Sequence, residues 1–156
     1  MLPCYADYPD SVESWMIYGP FSLADAQQAE IGLAVWLNSE AVFDGFGVYA
    51  SVDDEWYYEV GWAEGNWAKW LDLTYSLSEV PELGSLVGEP QVWLALVFEA
   101  DNSIAFAEGC YVDDIALRKC VSGPCASAGP SAASPGLGRV PAARLRKQVP
   151  QQQAIH

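Results

Sequence analysis

The sequence predicts an all-β fold, a sandwich or barrel of antiparallel strands. Three observations carry this. Apolar residues alternate with period two through most of the chain. Turn-forming residues interrupt the alternation at roughly ten-residue intervals. No segment carries an amphipathic helical stripe long enough to supply a helical layer. The 156 residues are 51% hydrophobic and include seven Trp, eight Tyr and five Phe, enough for one sizeable core.

The elements follow in order. "SWMIYGPF" (14–21) reads as a first strand ended at Gly19–Pro20, and 22–28 as irregular. Ala24 to Gln28 contains good helix formers, but from Glu30 the pattern turns to strand. Ile31, Leu33, Val35 and Leu37 fall on one face, with Gly32, Ala34 and Trp36 on the other. Phe46, Val48 and Ala50 alternate with Gly47, Tyr49 and Ser51. "VDDE" (52–55) is a turn and "WYYEVGW" the returning strand. "AEGN" (63–66) turns again into "WAKWLDLTY", so Trp56, Tyr57, Tyr58, Trp62, Trp67 and Trp70 are expected to crowd one hairpin. "SEVPELGSLVGEP" (78–90) reads as a long link that crosses between sheets. "QVWLALVFEAD" (91–101) suits a strand buried on both faces. "IAFAEGCYVDDIALR" is the last strand, interrupted at Glu108–Gly109. The sandwich is expected over 1–120. Residues 121–156, rich in Pro, Ala, Ser, Gly and Gln, are expected to form a disordered tail. Within it "AARLRKQ" is basic and is expected to be solvated, an anionic surface such as the chain's own body being the alternative.

Charge is divided unevenly. All 21 Asp and Glu precede residue 120, against three basic residues there (Lys69, Arg118, Lys119), a net −18 for residues 1–120. Such a body repels phosphate backbones, so no nucleic-acid partner is expected. It attracts cations, and Ca²⁺ prefers carboxylate oxygens. No apolar run is long enough to span a membrane. "MLPCYADYPD" lacks the basic and apolar regions of a signal peptide, so secretion would depend on a signal not in this stretch.

Cys4, Cys110, Cys120 and Cys125 show no zinc-ligand spacing, and His156 is the single histidine. A Cys120–Cys125 disulfide stapling the end of the last strand is expected. Cys4 and Cys110 either pair, if the N-terminal segment lies beside that strand, or remain thiols. No nucleophile–His constellation, H-E-x-x-H motif, phosphate loop or G-x-S-x-G occurs, so no enzymatic activity is expected of this chain.

Two groups of residues stand out as candidate sites. Asp113 and Asp114 interrupt a strand, where Asp is disfavoured. Adjacent strand residues face opposite ways, so one carboxylate is expected to point inward. A buried carboxylate needs a metal, hydrogen bonds or a cationic partner. Ca²⁺ with Glu30 and Asp25 as further ligands is one reading; loop N–H groups or Arg118 without a metal is the other. Among the aromatics, most are expected in the core, with Trp56 and Tyr58 as loop-side ligand-binding candidates.

"FDGFGVYASVD", "GNWAKWLDLT" and "QVWLALVFEADNSIAFAEGCYVDDIALR" resemble successive strands of the jelly-roll β-sandwich modules of bacterial secreted proteins. The nearest likeness is the non-catalytic region of immune-inhibitor-A-type metallopeptidases, and MAM-like and carbohydrate-binding jelly rolls are similar in the same places. The resemblance covers roughly 14–119 and is most specific over Phe98–Leu117. It implies a two-sheet antiparallel jelly-roll sandwich and a monomeric, extracellular accessory module that meets a polysaccharide or a protein surface. It also implies a structural Ca²⁺ near the last strand, at Asp113 and Asp114. The peptidase zinc motif is missing, so no protease activity carries over.

Overall fold

The computed structural model describes residues 7–106, 108–123, 125 and 144–147. The strands are β1 (Glu13–Phe21), β2 (Gln28–Asn38), β3 (Gly45–Ser51), β4 (Trp56–Glu64), β5 (Asn66–Ser76), β6 (Val92–Glu99), β7 (Gly109–Cys120) and β8 (Arg144–Arg146). They form two antiparallel sheets, a five-stranded one in the order β1-β6-β3-β4-β8 and a three-stranded one in the order β5-β2-β7. From β1 to β7 every connection crosses between the sheets except the β3–β4 hairpin, so the chain winds around the sandwich as in a jelly roll.

The period-two pattern builds the core. Ile31, Leu33, Val35 and Leu37 of β2 meet Phe46, Val48 and Ala50 of β3 and Val92, Leu94 and Leu96 of β6, all nearly or wholly inaccessible. Burying each Leu, Val or Ile contributes about 1.5–3 kcal/mol. Gly61 lets the sheets approach at one point, because a Cβ there would lie 2.1 Å from the Tyr75 ring. β6 runs between β1 and β3 and is covered on both faces, as its unbroken apolar run predicts.

Several expectations need correction. β1 does not end at Gly19–Pro20 but pairs again at Phe21 with Val92, after a break in register. β4 and β5 do not form a hairpin: the turn at Gly65 carries the chain to the other sheet. The aromatics therefore separate. Trp62 is buried, Trp67 packs on the core edge, and Trp70 is 52% exposed on the other sheet from Trp56.

The last strand does not turn a carboxylate inward. Asp113 pairs with Ala34 and Ala116 with Gly32, so Asp114 and Ile115 together face one residue of β2. This is a β-bulge. Asp114 adopts φ +51° and donates its N–H to Asp113 Oδ1 at 2.8 Å. Asp is among the few non-glycine residues that accept this left-handed conformation. The extra residue keeps both carboxylates in solvent.

Beyond β7, the Cys120–Cys125 disulfide is present. Gln27 and Gln28 hold its loop through the N–H groups of Gly123 (3.0 Å) and Cys125 (2.9 Å). Cys110 is a thiol against the core, and burial pushes its pKa up to about 12. The N-terminal segment does lie beside β7, with Tyr8 against Gly109, while Cys4 falls outside the described residues. For the basic segment the alternative reading holds at 144–147, where β8 pairs with β4 of the chain's own body instead of being solvated; the greater part of the tail lies outside the described residues. No helix is long and apolar enough to cross a membrane among the described residues.

Candidate functional site

The outer face of the three-stranded sheet carries an aromatic row. Trp36 of β2 stands in register with Trp70 of β5 on one side and with Tyr111 of β7 on the other. Side chains in register on one face are near neighbours. Trp36 and Tyr111 meet edge to face with ring centres 5.7 Å apart. Trp70 and Tyr111 are about half exposed, at 52% and 49%. Strands lie about 4.8 Å apart, so the row crosses roughly 10 Å of surface.

Beside the row the sheet dips. The next two positions on β2 are Ala34 and Gly32, too small to fill the face. Asp72 and Thr74 of β5 rise on one side, Asp114 and Arg118 of β7 on the other, around a cavity of about 100 Å³. Arg118 reaches over Gly32: a Cβ on that glycine would come within 2.7 Å of the guanidinium. Glu30 holds the same guanidinium from 3.4 Å. The face thus offers a flat apolar strip next to two carboxylates, a hydroxyl and a planar donor.

The residues singled out from sequence land in several places. Asp114 joins this face through the bulge, and Asp113 is exposed in register with Ala34. Glu30 pairs with Arg118. Asp25 pairs with Lys119 at 2.6 Å, a bond that holds its pKa below the ordinary value. With two of the four carboxylates tied to cations, the set Asp113, Asp114, Glu30 and Asp25 does not converge on one point. Tyr58 packs against the core, and Trp56 lies under the guanidinium groups of Arg144 and Arg146.

A different acidic group does converge. Ligand oxygens of Glu40, Asp44 and Asp101 all lie within 4.8 Å of one another. Asp44, in the loop between β2 and β3, is 1% exposed. It accepts hydrogen bonds from the Tyr8 hydroxyl and, at 2.8 Å, from the Asp101 N–H. Burial, reinforced by the bond to Asp44, pushes the Tyr8 pKa up to about 12. Ser103 Oγ lies 2.6 Å from Glu40 Oε2 and 2.5 Å from Asp101 Oδ1, so one hydroxyl proton serves two carboxylates. None of the ion pairs among the described residues reaches this group. An all-oxygen set of this kind suits Ca²⁺ rather than Zn²⁺.

Sequence reasoning missed both arrangements for one reason. Trp36, Trp70 and Tyr111 come from three strands, and Glu40 and Asp101 from loops 61 positions apart in the chain, so only register and topology unite them. A weak signal existed: Trp36 and Trp70 both fall on the face opposite to their strand's Leu and Val positions. No protein-family model matches this chain, and no curated protein matches it.

Proposed function

We propose that this chain is a non-catalytic accessory module of an exported protein that holds a neutral polysaccharide on the outer face of its three-stranded sheet. The observation that carries the reading is the Trp70–Trp36–Tyr111 row. Sugar rings present C–H faces that stack on aromatic rings, and hydroxyls that need acceptors and donors at the rim. Asp72 and Asp114 supply acceptors, Arg118 a donor, and Thr74 both. The net charge of −14 disfavours sulfated or uronate-rich chains, which leaves neutral ones. The Cys120–Cys125 disulfide fits an oxidising compartment. The test is retardation of the full chain in native gels containing soluble β-glucan, xylan or mannan, followed by calorimetry on any chain that retards it. Retardation that disappears in Trp36→Ala/Trp70→Ala supports the reading. No retardation by any neutral glycan, or retardation unchanged in the double variant, removes it.

The acidic group supports a second reading, a structural Ca²⁺ held by Glu40, Asp44 and Asp101. It would tie the β2–β3 loop to the loop after β6 and, through Tyr8, to the N-terminal segment. A cation at one hundred times its Kd stabilises the fold by about 2.7 kcal/mol. Thermal melts in EDTA and then in excess Ca²⁺ test this. A calcium-dependent rise lost in Asp101→Asn supports it, and superimposable melts reject it.

A further inference from the structure

The edge of β4 is covered by a short basic segment of the same chain. Arg144, Leu145 and Arg146 pair antiparallel with Tyr58, Tyr57 and Trp56, and the Lys147 N–H donates to the Glu55 carbonyl at 3.0 Å. Each side chain of the segment is met in turn. Leu145 packs into an apolar cluster on the outer face of the five-stranded sheet, with Tyr49, Tyr57, Trp15 and Trp93. The Arg144 and Arg146 guanidinium carbons lie 4.4 and 5.5 Å from the centre of the Trp56 ring. Arg146 pairs with Glu55 at 2.6 Å, and Lys147 Nζ lies 2.8 Å from both oxygens of Asp54. Glu13, Asp54 and Glu55 face the segment across a groove of about 670 Å³.

This is strand addition to a sheet edge: backbone bonds give adhesion and side-chain contacts give selectivity. The segment is separated from the body by residues 126–143, a stretch that extends to at most roughly 60 Å. Its sheet pairing is with β4 alone. It is therefore a tethered ligand, and the tether sets which copy it belongs to.

We propose that the β4 edge is a receptor for an extended Arg-apolar-Arg-Lys peptide, and that its occupant in trans is the Arg144–Lys147 segment of a second copy of this chain. Charge favours that partner. Residues 1–120 carry −18 and repel another such body, while every charged residue after 120 is basic, so the segment is what can bridge two copies. Cis pairing is intramolecular and does not weaken on dilution, whereas trans pairing does, so cis occupancy dominates in dilute solution. Exchange takes over where copies are crowded. The proposal does not depend on the glycan reading.

Complementation between two full-length variants tests it. Leu145→Asp/Arg146→Glu leaves the edge open without a competent segment. Glu55→Arg/Trp56→Ala leaves the segment free without a competent edge. Each alone is expected to be a monomer. Their equimolar mixture, at about 100 µM so that trans pairing is favoured, is expected to give a one-to-one complex of twice the 17.0 kDa mass in native mass spectrometry. Excess synthetic peptide 142–148 dissolves it. A mixture that stays monomeric, with both variants keeping the wild-type circular dichroism spectrum, overturns the proposal. Should a double variant misfold, Arg146→Glu and Glu55→Arg repeat the test, since both side chains are more than half exposed.

Discussion

The two sheets carry similar residues on their outer faces and treat them oppositely. On the outer face of the five-stranded sheet, Tyr49 and Tyr57 are wholly buried, roofed by Trp15, Ile17, Trp93 and Leu145. Trp15 and Tyr57 meet edge to face with ring centres 5.4 Å apart. On the outer face of the three-stranded sheet, Trp70 and Tyr111 stand half exposed with nothing among the described residues laid over them. One face is a small second core, closed by the chain itself. The other has the same kind of surface left open. An exposed apolar patch that a protein does not close is where a partner is expected.

The contrast can be broken by substitution. The largest effect is expected at Tyr49→Ala, which empties a fully buried site and should cost about 3–5 kcal/mol in urea denaturation. Next comes Gly61→Ala, which drives a methyl into the Tyr75 ring. Overpacking of this kind costs about 1–3 kcal/mol, read as a lower denaturation midpoint at unchanged slope. Trp70→Ala should do the reverse of Tyr49→Ala. Stability stays within about 0.5 kcal/mol, while under the proposed glycan reading affinity for a glycan that retards the wild-type chain falls at least about tenfold, or 1.4 kcal/mol. Equal stability losses at Tyr49 and Trp70 would erase the distinction between the two faces.

The smallest effect concerns the segment that closes the first face. Burial works to raise the Asp54 pKa, but Lys147 and the Tyr57 hydroxyl outweigh it and hold it below the ordinary value. A carboxylate depressed in the native state contributes stability above its unfolded pKa, about 3.9, and loses it as pH falls through the native value. Docking of β8 should therefore be intact at neutral pH and weaken below about pH 4. The pair is about one-third exposed, so the change is below about 1 kcal/mol and shrinks further in salt. Amide shifts of Leu145 and Lys147 in a pH titration report it; shifts that stay constant to pH 2 would detach Asp54 from the docking.

What the sequence discloses ends where strands meet. Within β2, the placing of Ile31, Leu33, Val35 and Leu37 against Gly32, Ala34 and Trp36 follows from alternation alone, because side-chain direction is local. The Asp113–Asp114 fault was legible as a fault. Its resolution was not, because a bulge shows itself only against a partner strand, here the step from Ala34 to Gly32. The acidic group was hidden likewise: nothing in "SEAVFD" or "EADNS" says that those loops share one end of the sandwich. The basic segment at 144–147 was visible by composition. Its strand was not, since three residues carry too little pattern to be told from a solvated tail.

The winding of the chain also sets when this fold can form. β2 is completed by β7, with Gln28 opposite Cys120, so the three-stranded sheet cannot close until residues 109–120 have left the ribosome. Apart from the β3–β4 hairpin, each strand from β1 to β7 finds its neighbours far along the chain. Such high contact order places folding in the millisecond-to-second range. Through synthesis the nascent chain holds an aromatic-rich, largely unpaired sequence, open to chaperones and still able to be threaded before it closes.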